Sequence, residues 1–137
     1  ESKITASQNT KAISSINDRL LPKDETDASV PYFHWWPKQG TTEWITYEFD
    51  SAKKISSSSV FWYDDAPWGG CRVPKAWKLL YRNTDGNWLP VENINSYGIQ
   101  KGVVNDVLFK SIVTTALKIE IVLPEKHSAG IFEWEVE

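Results

Sequence analysis

An apolar–polar alternation of period two, recurring along most of the sequence, constrains this chain more than any other feature. Ile45, Tyr47 and Phe49 alternate with Trp44, Thr46 and Glu48, and Trp77, Leu79 and Tyr81 with Lys78, Leu80 and Arg82. Leu117, Ile119, Ile121 and Leu123 alternate with Lys118, Glu120 and Val122, and Phe132, Trp134 and Val136 with Glu133, Glu135 and Glu137. Side chains of a strand point to opposite faces in turn, so this pattern predicts strands with one face on a core and one in water. Helical spacing is weak. Residues 9–21 place Ala12, Ile13, Ile16 and Leu20 along one helical face and predict one or two turns at most. The run from Ile55 to Tyr63 holds four consecutive serines, Ser56 to Ser59, and reads as a strand whose small side chains let another layer approach. Asp85-Gly86 between Tyr81 and Trp88 is a hairpin signal, and Pro22, Pro31, Pro37, Gly69-Gly70, Pro74, Gly98, Gly102, Pro124 and Gly130 punctuate the rest. With strands near Lys3–Ala6 and Val103–Phe109 the count is about eight. That number suits an all-β fold, an antiparallel two-sheet β-sandwich of jelly-roll type.

Composition narrows the function classes. The 137 residues make one domain, and the formal net charge of −3 without a basic run argues against nucleic acid or an anionic lipid surface as partner. No apolar stretch approaches the roughly 20 residues that span a bilayer. Cys71 is the single cysteine, which excludes an intramolecular disulfide and a cysteine-based zinc site. The chain starts at Glu1 and has no Met, so it reads as one domain, 1–137, cut from a longer protein and expected to be a monomer when isolated. Aromatic content stands out: 8 Trp, 5 Tyr and 5 Phe. A buried indole needs a partner for its N–H, so this many in one small domain suggests duties beyond packing.

Four connections are longer than a turn requires: 17–43, 64–75, 93–103 and 124–130. They hold most of the irregularly placed aromatics and both histidines. In the segment from Trp62 to Arg72, Trp68 lies between Pro67 and Gly69, outside any strand pattern, with Asp64, Asp65 and Arg72 nearby. An aromatic face that removes the C–H face of a pyranose from water, beside planar groups that take hydroxyls in pairs, is what sugar recognition requires. The plainer alternative has an Asp capping the turn, Arg72 pairing with it, and Trp68 flat on the sandwich. In Phe33-His34-Trp35-Trp36-Pro37, adjacent Trp residues on extended backbone face opposite ways, and the reading places Trp35 inward and Trp36 outward. His34 and His127 are each a possible hydroxyl donor or a satisfied structural group. Tyr97 is a rim residue or a loop anchor. Trp44, Trp77, Trp88 and Trp134 read as structural, and Trp62, at a strand end, as either.

Thr42-Glu43-Trp44-Ile45-Thr46-Tyr47-Glu48-Phe49, Ile55-Ser56-Ser57-Ser58-Ser59-Val60, Cys71-Arg72-Val73-Pro74-Lys75-Ala76-Trp77-Lys78-Leu79-Leu80-Tyr81 with Asp85-Gly86-Asn87-Trp88, and the closing Thr114 to Trp134 together resemble the discoidin domain, the coagulation factor V/VIII type C superfamily. The resemblance is strongest to its bacterial carbohydrate-binding modules. It covers nearly the whole chain and implies a galactose-binding-like sandwich appended to a secreted, periplasmic or cell-surface glycoside hydrolase acting on galactosides, arabinosides or N-acetylhexosaminides. It also implies a structural calcium ion, with Asp18 and Glu133 at the matching positions and Asp24, Asp27 and Ser29 as further oxygen sources. Arg19 and His34 depart from the family pattern next to that site.

These readings combine into a non-catalytic module that binds glycans and tethers a parent hydrolase in cis. Its site would comprise Trp68, Arg72, Asp64, Asp65, Trp36, His34 and Tyr97. Catalysis is disfavoured. Asp64 and Asp65 are adjacent and diverge, whereas glycoside hydrolysis needs carboxylates facing each other about 5–9 Å apart. No nucleophile elbow, phosphate loop or HExxH pattern is present. The competing readings are a structural domain packed on its catalytic neighbour and, last, a phospholipid-binding domain.

Overall fold

The computed structural model describes residues 2–7, 32–35, 38–64, 69–100 and 102–137. The predicted turns in 9–21, and with them Asp18, Asp24, Asp27, Ser29, Trp36, Asp65 and Trp68, lie outside the described residues.

Seven strands form among the described residues, and no helix: β1 (Ser2–Ala6), β2 (Phe33–His34), β3 (Thr42–Tyr63), β4 (Ala76–Arg82), β5 (Trp88–Pro90), β6 (Val104–Val122) and β7 (Gly130–Val136). All pairings are antiparallel, in the order β2-β7-β3-β6-β4-β5, with β1 on β3. The count differs from the expected eight because two predicted pairs of strands are continuous and the short β2 was not expected. Residues 42–49 and 55–63 are one 22-residue strand, and Val103–Phe109 joins 117–123 into a 19-residue strand. Register shifts between Glu48 and Lys53 and between Ile55 and Ser57 interrupt their shared ladder. Such irregularities bend a strand, so each long strand serves two layers. The first half of β3 pairs with β1 and the second half of β6, which also carries β4. The second half of β3 pairs with the first half of β6 and with β7.

Aromatic contacts across the interior show the two layers facing each other. Tyr47, from the first half of β3, stacks on Trp134 of β7 at 4.1 Å and 11°, and its hydroxyl donates to the Trp134 carbonyl. Trp77 of β4 meets Trp62 of β3 edge-on at 5.5 Å. Around them lie Ile45, Val60, Leu79, Leu117, Ile119, Ile121 and Ile131, all sealed from solvent. Burial pushes the Tyr47 phenol well above its ordinary pKa, and the nearby Glu133 and Glu135 carboxylates push it the same way.

Within the serine run only Ser58 is buried, and it meets the neighbouring strand β7. Its hydroxyl donates to the Glu135 carbonyl at 2.8 Å and accepts the Trp134 indole N–H at 2.7 Å. The Asp85-Gly86 signal is a hairpin closed by Asn83, whose side chain accepts from the Asp85 and Asn87 amides, while Gly86 takes φ +85°.

β7 departs from simple alternation. Phe61 pairs with Glu133 and Trp62 with Ile131, so Phe132 is an extra residue on β7. The extra residue lets Ile131 and Trp134, three apart, both enter the main core while Phe132 turns to the opposite face. There it packs with Phe61, Tyr63 and Cys71 in a second, smaller core, with Tyr32 at its edge. Glu133 is accordingly buried rather than a solvated strand residue. Gly130 opens the strand where backbones approach closely. A Cβ there would lie 2.9 Å from the Phe33 carbonyl oxygen and 3.0 Å from the Tyr63 ring.

Two stability effects follow. Ser58→Ala strands a buried indole N–H and should cost about 1–3 kcal/mol in denaturant unfolding, with an unchanged m-value. Gly130→Ala forces β2 or Tyr63 to move and should cost about 1–3 kcal/mol by the same measurement.

Candidate functional site

Three connections converge where β2, β7 and β3 begin or end together. Within the ladder Gly130 lies opposite His34 on one side and Tyr63 on the other. The approach to β7 is clamped from both flanks by backbone. The Trp35 amide donates to the Ala129 carbonyl at 3.0 Å, the Arg72 amide to the Ser128 carbonyl at 3.0 Å, and the Ser128 amide to the Gly70 carbonyl at 2.8 Å. Cys71 and Ser128 form an isolated parallel bridge. Residues 32–35, 69–73 and 127–130 are thus one rigid edge, with Asp64 and Arg72 at the two ends of the loop that carries Trp68 in the sequence.

The predicted residues fall into different roles. Asp64 is 3% exposed, and its Oδ2 accepts the Val73 amide at 3.0 Å, nine residues on. It clasps the loop closed, the capping alternative of the sequence reading, and is not presented to solvent. Arg72 is half-buried and its Nη1 donates to the carbonyls of Gly69 and Cys71, each at 2.8 Å, which fixes the guanidinium over its own loop. His34 is half-buried with its ring 5.7 Å from Tyr32, and Tyr32 stacks on Tyr63 at 3.8 Å and 10°. Trp35 is fully buried, as expected of the inward member of its pair.

Tyr97 belongs to a different arrangement. Its ring packs on Trp77 at 4.8 Å and its hydroxyl accepts the Leu79 amide at 3.2 Å, which makes it a loop anchor. Partial burial raises its pKa, and the Leu79 bond acts in the opposite direction. The indole N–H groups of Trp62 and Trp77 both donate to the Gly98 carbonyl, at 3.2 and 2.8 Å. Trp62 is therefore structural, sealed inside at the end of β3. Asn105 completes this loop. Its side chain accepts from the Gln100 amide and donates to the carbonyls of Gln100 and Val103. Sequence reasoning missed Asn105, Gly130 and the Tyr32–Tyr63 stack. A glycine in Ala129-Gly130-Ile131 reads as punctuation, and nothing local in Asn105 or Tyr32 points to the distant backbone each one meets.

Glu133 has the burial a cation ligand would have, since a buried carboxylate requires a compensating charge or donors. Asp18, its expected partner, lies outside the described residues. Among the described residues no three His, Cys, Asp or Glu side chains group closely enough to hold a metal.

No protein-family model matches the sequence. Known structures do resemble it. A structure from the Streptococcus pneumoniae β-galactosidase BgaA superposes with a TM-score of 0.81 at 19% identity, over 97% of this chain and 89% of that one. The family 32 carbohydrate-binding module of Clostridium perfringens NanJ, in complex with galactose, gives 0.73 at 17% identity over 98% and 92%. The family 32 module of AlyQ, in complex with 4,5-unsaturated mannuronic acid, gives 0.69 at 17% identity over 98% and 93%. The likeness spans nearly the full length of both partners in each comparison, and the fold of this chain is the galactose-binding-like β-sandwich.

Proposed function

We propose that this chain is a non-catalytic carbohydrate-binding module that holds a parent glycoside hydrolase of galactosidase, arabinosidase or hexosaminidase type near its glycan outside the cytoplasm. The observation that carries the reading is the rigid edge built from 32–35, 69–73 and 127–130, which fixes both ends of the Trp68 loop on a fold shared with modules crystallised with galactose and mannuronic acid. Pre-organisation matters for a shallow sugar site, because ordering a loop on binding would consume most of a weak affinity. In this reading Trp68 and Trp36 supply aromatic faces, Arg72, Asp65 and His34 take hydroxyls, and Asp64 positions the loop through Val73. Among the described residues no helix is long and apolar enough to cross a membrane.

A second reading, a structural domain packed on its catalytic neighbour, draws on one observation. Ile94 and Leu108 are 74% and 52% exposed and adjacent, the Ile94 amide donating to the Leu108 carbonyl at 2.7 Å. Titration separates the two. Galactose and N-acetylgalactosamine should quench or shift Trp fluorescence with a Kd near 1 mM, about 4 kcal/mol. Trp68→Ala should abolish the response at unchanged Tm, and Arg72→Ala should weaken it about tenfold. Silence of the unaltered protein across a broad glycan panel would favour the structural reading. The proposal includes a calcium ion held by Asp18 and Glu133. Chelation should then lower Tm, with recovery on adding calcium, and an unchanged melting curve retires the metal.

A further inference from the structure

The outer face of the other layer carries a cluster that the loop site does not use. Cross-strand partners share a face, which places Thr46, Lys118, Leu80 and Pro90 in one row. Glu48 and Ala116 of β3 and β6, and Arg82 and Trp88 of β4 and β5, lie beside it. At about 4.8 Å per strand the face runs roughly 14 Å from β3 to β5. Trp88 stands at its margin on β5, the last strand in the order, and is only half-buried. Two cations attend its ring: Lys118 Nζ is 4.7 Å and Arg82 Cζ 5.7 Å from the centroid.

The charges of this face are held loosely. Lys118 and Lys78 each reach Glu120 at 3.6 Å, and Arg82 reaches Glu48 at 3.7 Å. These separations exceed the roughly 2.7–2.9 Å of a charge-assisted hydrogen bond. Three cations meet two carboxylates, so an acidic chain carries a locally positive surface around a half-buried indole. Glu120 already sits between two ammonium groups, and a ligand carboxylate can take an equivalent place between Lys118 and Arg82.

We infer that this face, centred on Trp88, Lys118 and Arg82, is a second binding surface, for a saccharide bearing a carboxylate. The uronate carboxylate pairs with Lys118 and Arg82, the C–H face of the pyranose lies against the Trp88 indole, and Glu48 at the margin accepts a hydroxyl. A bare anion would not need the indole. The surface shares no residue with the loop site, so its existence does not depend on that proposal.

The test uses the whole chain and a trisaccharide of galacturonate, with a neutral galactose trisaccharide of equal length as control, followed by amide and indole NMR shifts. The acidic sugar should move the Trp88 indole resonance and the amides of Leu80 to Arg82 and of Lys118, and the neutral sugar should not. The affinity should fall about tenfold in Lys118→Gln and in Arg82→Gln, and fall likewise in about 0.5 M salt. The single variants remove the charge and keep a polar side chain, and unchanged β7 amides report that the fold persists. The inference is overturned by shifts confined to 69–73 and 127–130, by equal response to the neutral sugar, by full affinity in both variants, or by a response to phosphatidylserine vesicles alone. Loss of galactose binding in Trp68→Ala leaves this outcome untouched, which separates the two surfaces.

Discussion

Everything in this molecule depends on finding acceptors for buried indole N–H groups. A small sandwich gains most of its stability from large aromatic side chains, but each interior Trp brings a donor that water can no longer satisfy. Trp134 finds the Ser58 hydroxyl, and Trp62 and Trp77 share the Gly98 carbonyl. Each acceptor belongs to a segment that the rest of the fold must hold in place. Ser58 is kept by its bond to Glu135, and Gly98 by a loop closed around Asn105, whose Oδ1 would lie 2.6 Å from any Cβ added at Gly98. The core thus specifies loops as well as strands.

The same logic ties one edge of the sandwich together. The extra residue in β7 turns Phe132 outward, and the second aromatic cluster that results packs beneath the ends of β2 and β3. Gly130 then permits β2 and Tyr63 to close on it, and the backbone bonds of 127–129 tie in the 69–73 segment. The other layer differs: its outer face is laddered and charged, and Trp88 stands on an edge strand.

Much of the architecture was legible in advance because alternation reports burial directly. The inward sets Leu117, Ile119, Ile121 and Leu123, and Trp77 and Leu79, are buried as their period predicts, and Asp85-Gly86 makes its hairpin. The strand count was less legible. A bend in a long strand is set by bulges, and bulges leave no composition signal when both halves are apolar. At the site, the loop from Asp64 to Arg72 could be singled out from its aromatic and charged content. The inward turn of Asp64 could not, because whether a carboxylate faces a hydroxyl or a backbone amide depends on where the far end of the loop returns.

Local chemistry alone therefore determined an all-β chain of alternating strands and its turns, since these follow from side-chain period and from turn chemistry. Tertiary structure decided the rest: the burial of Glu133 through one extra residue in β7, the clasp of Asp64 on Val73, and the gathering of Arg82, Trp88 and Lys118 from three strands. Those outcomes depend on register between segments far apart in the chain, and register is an energy minimised over the whole sandwich rather than a property of any stretch within it.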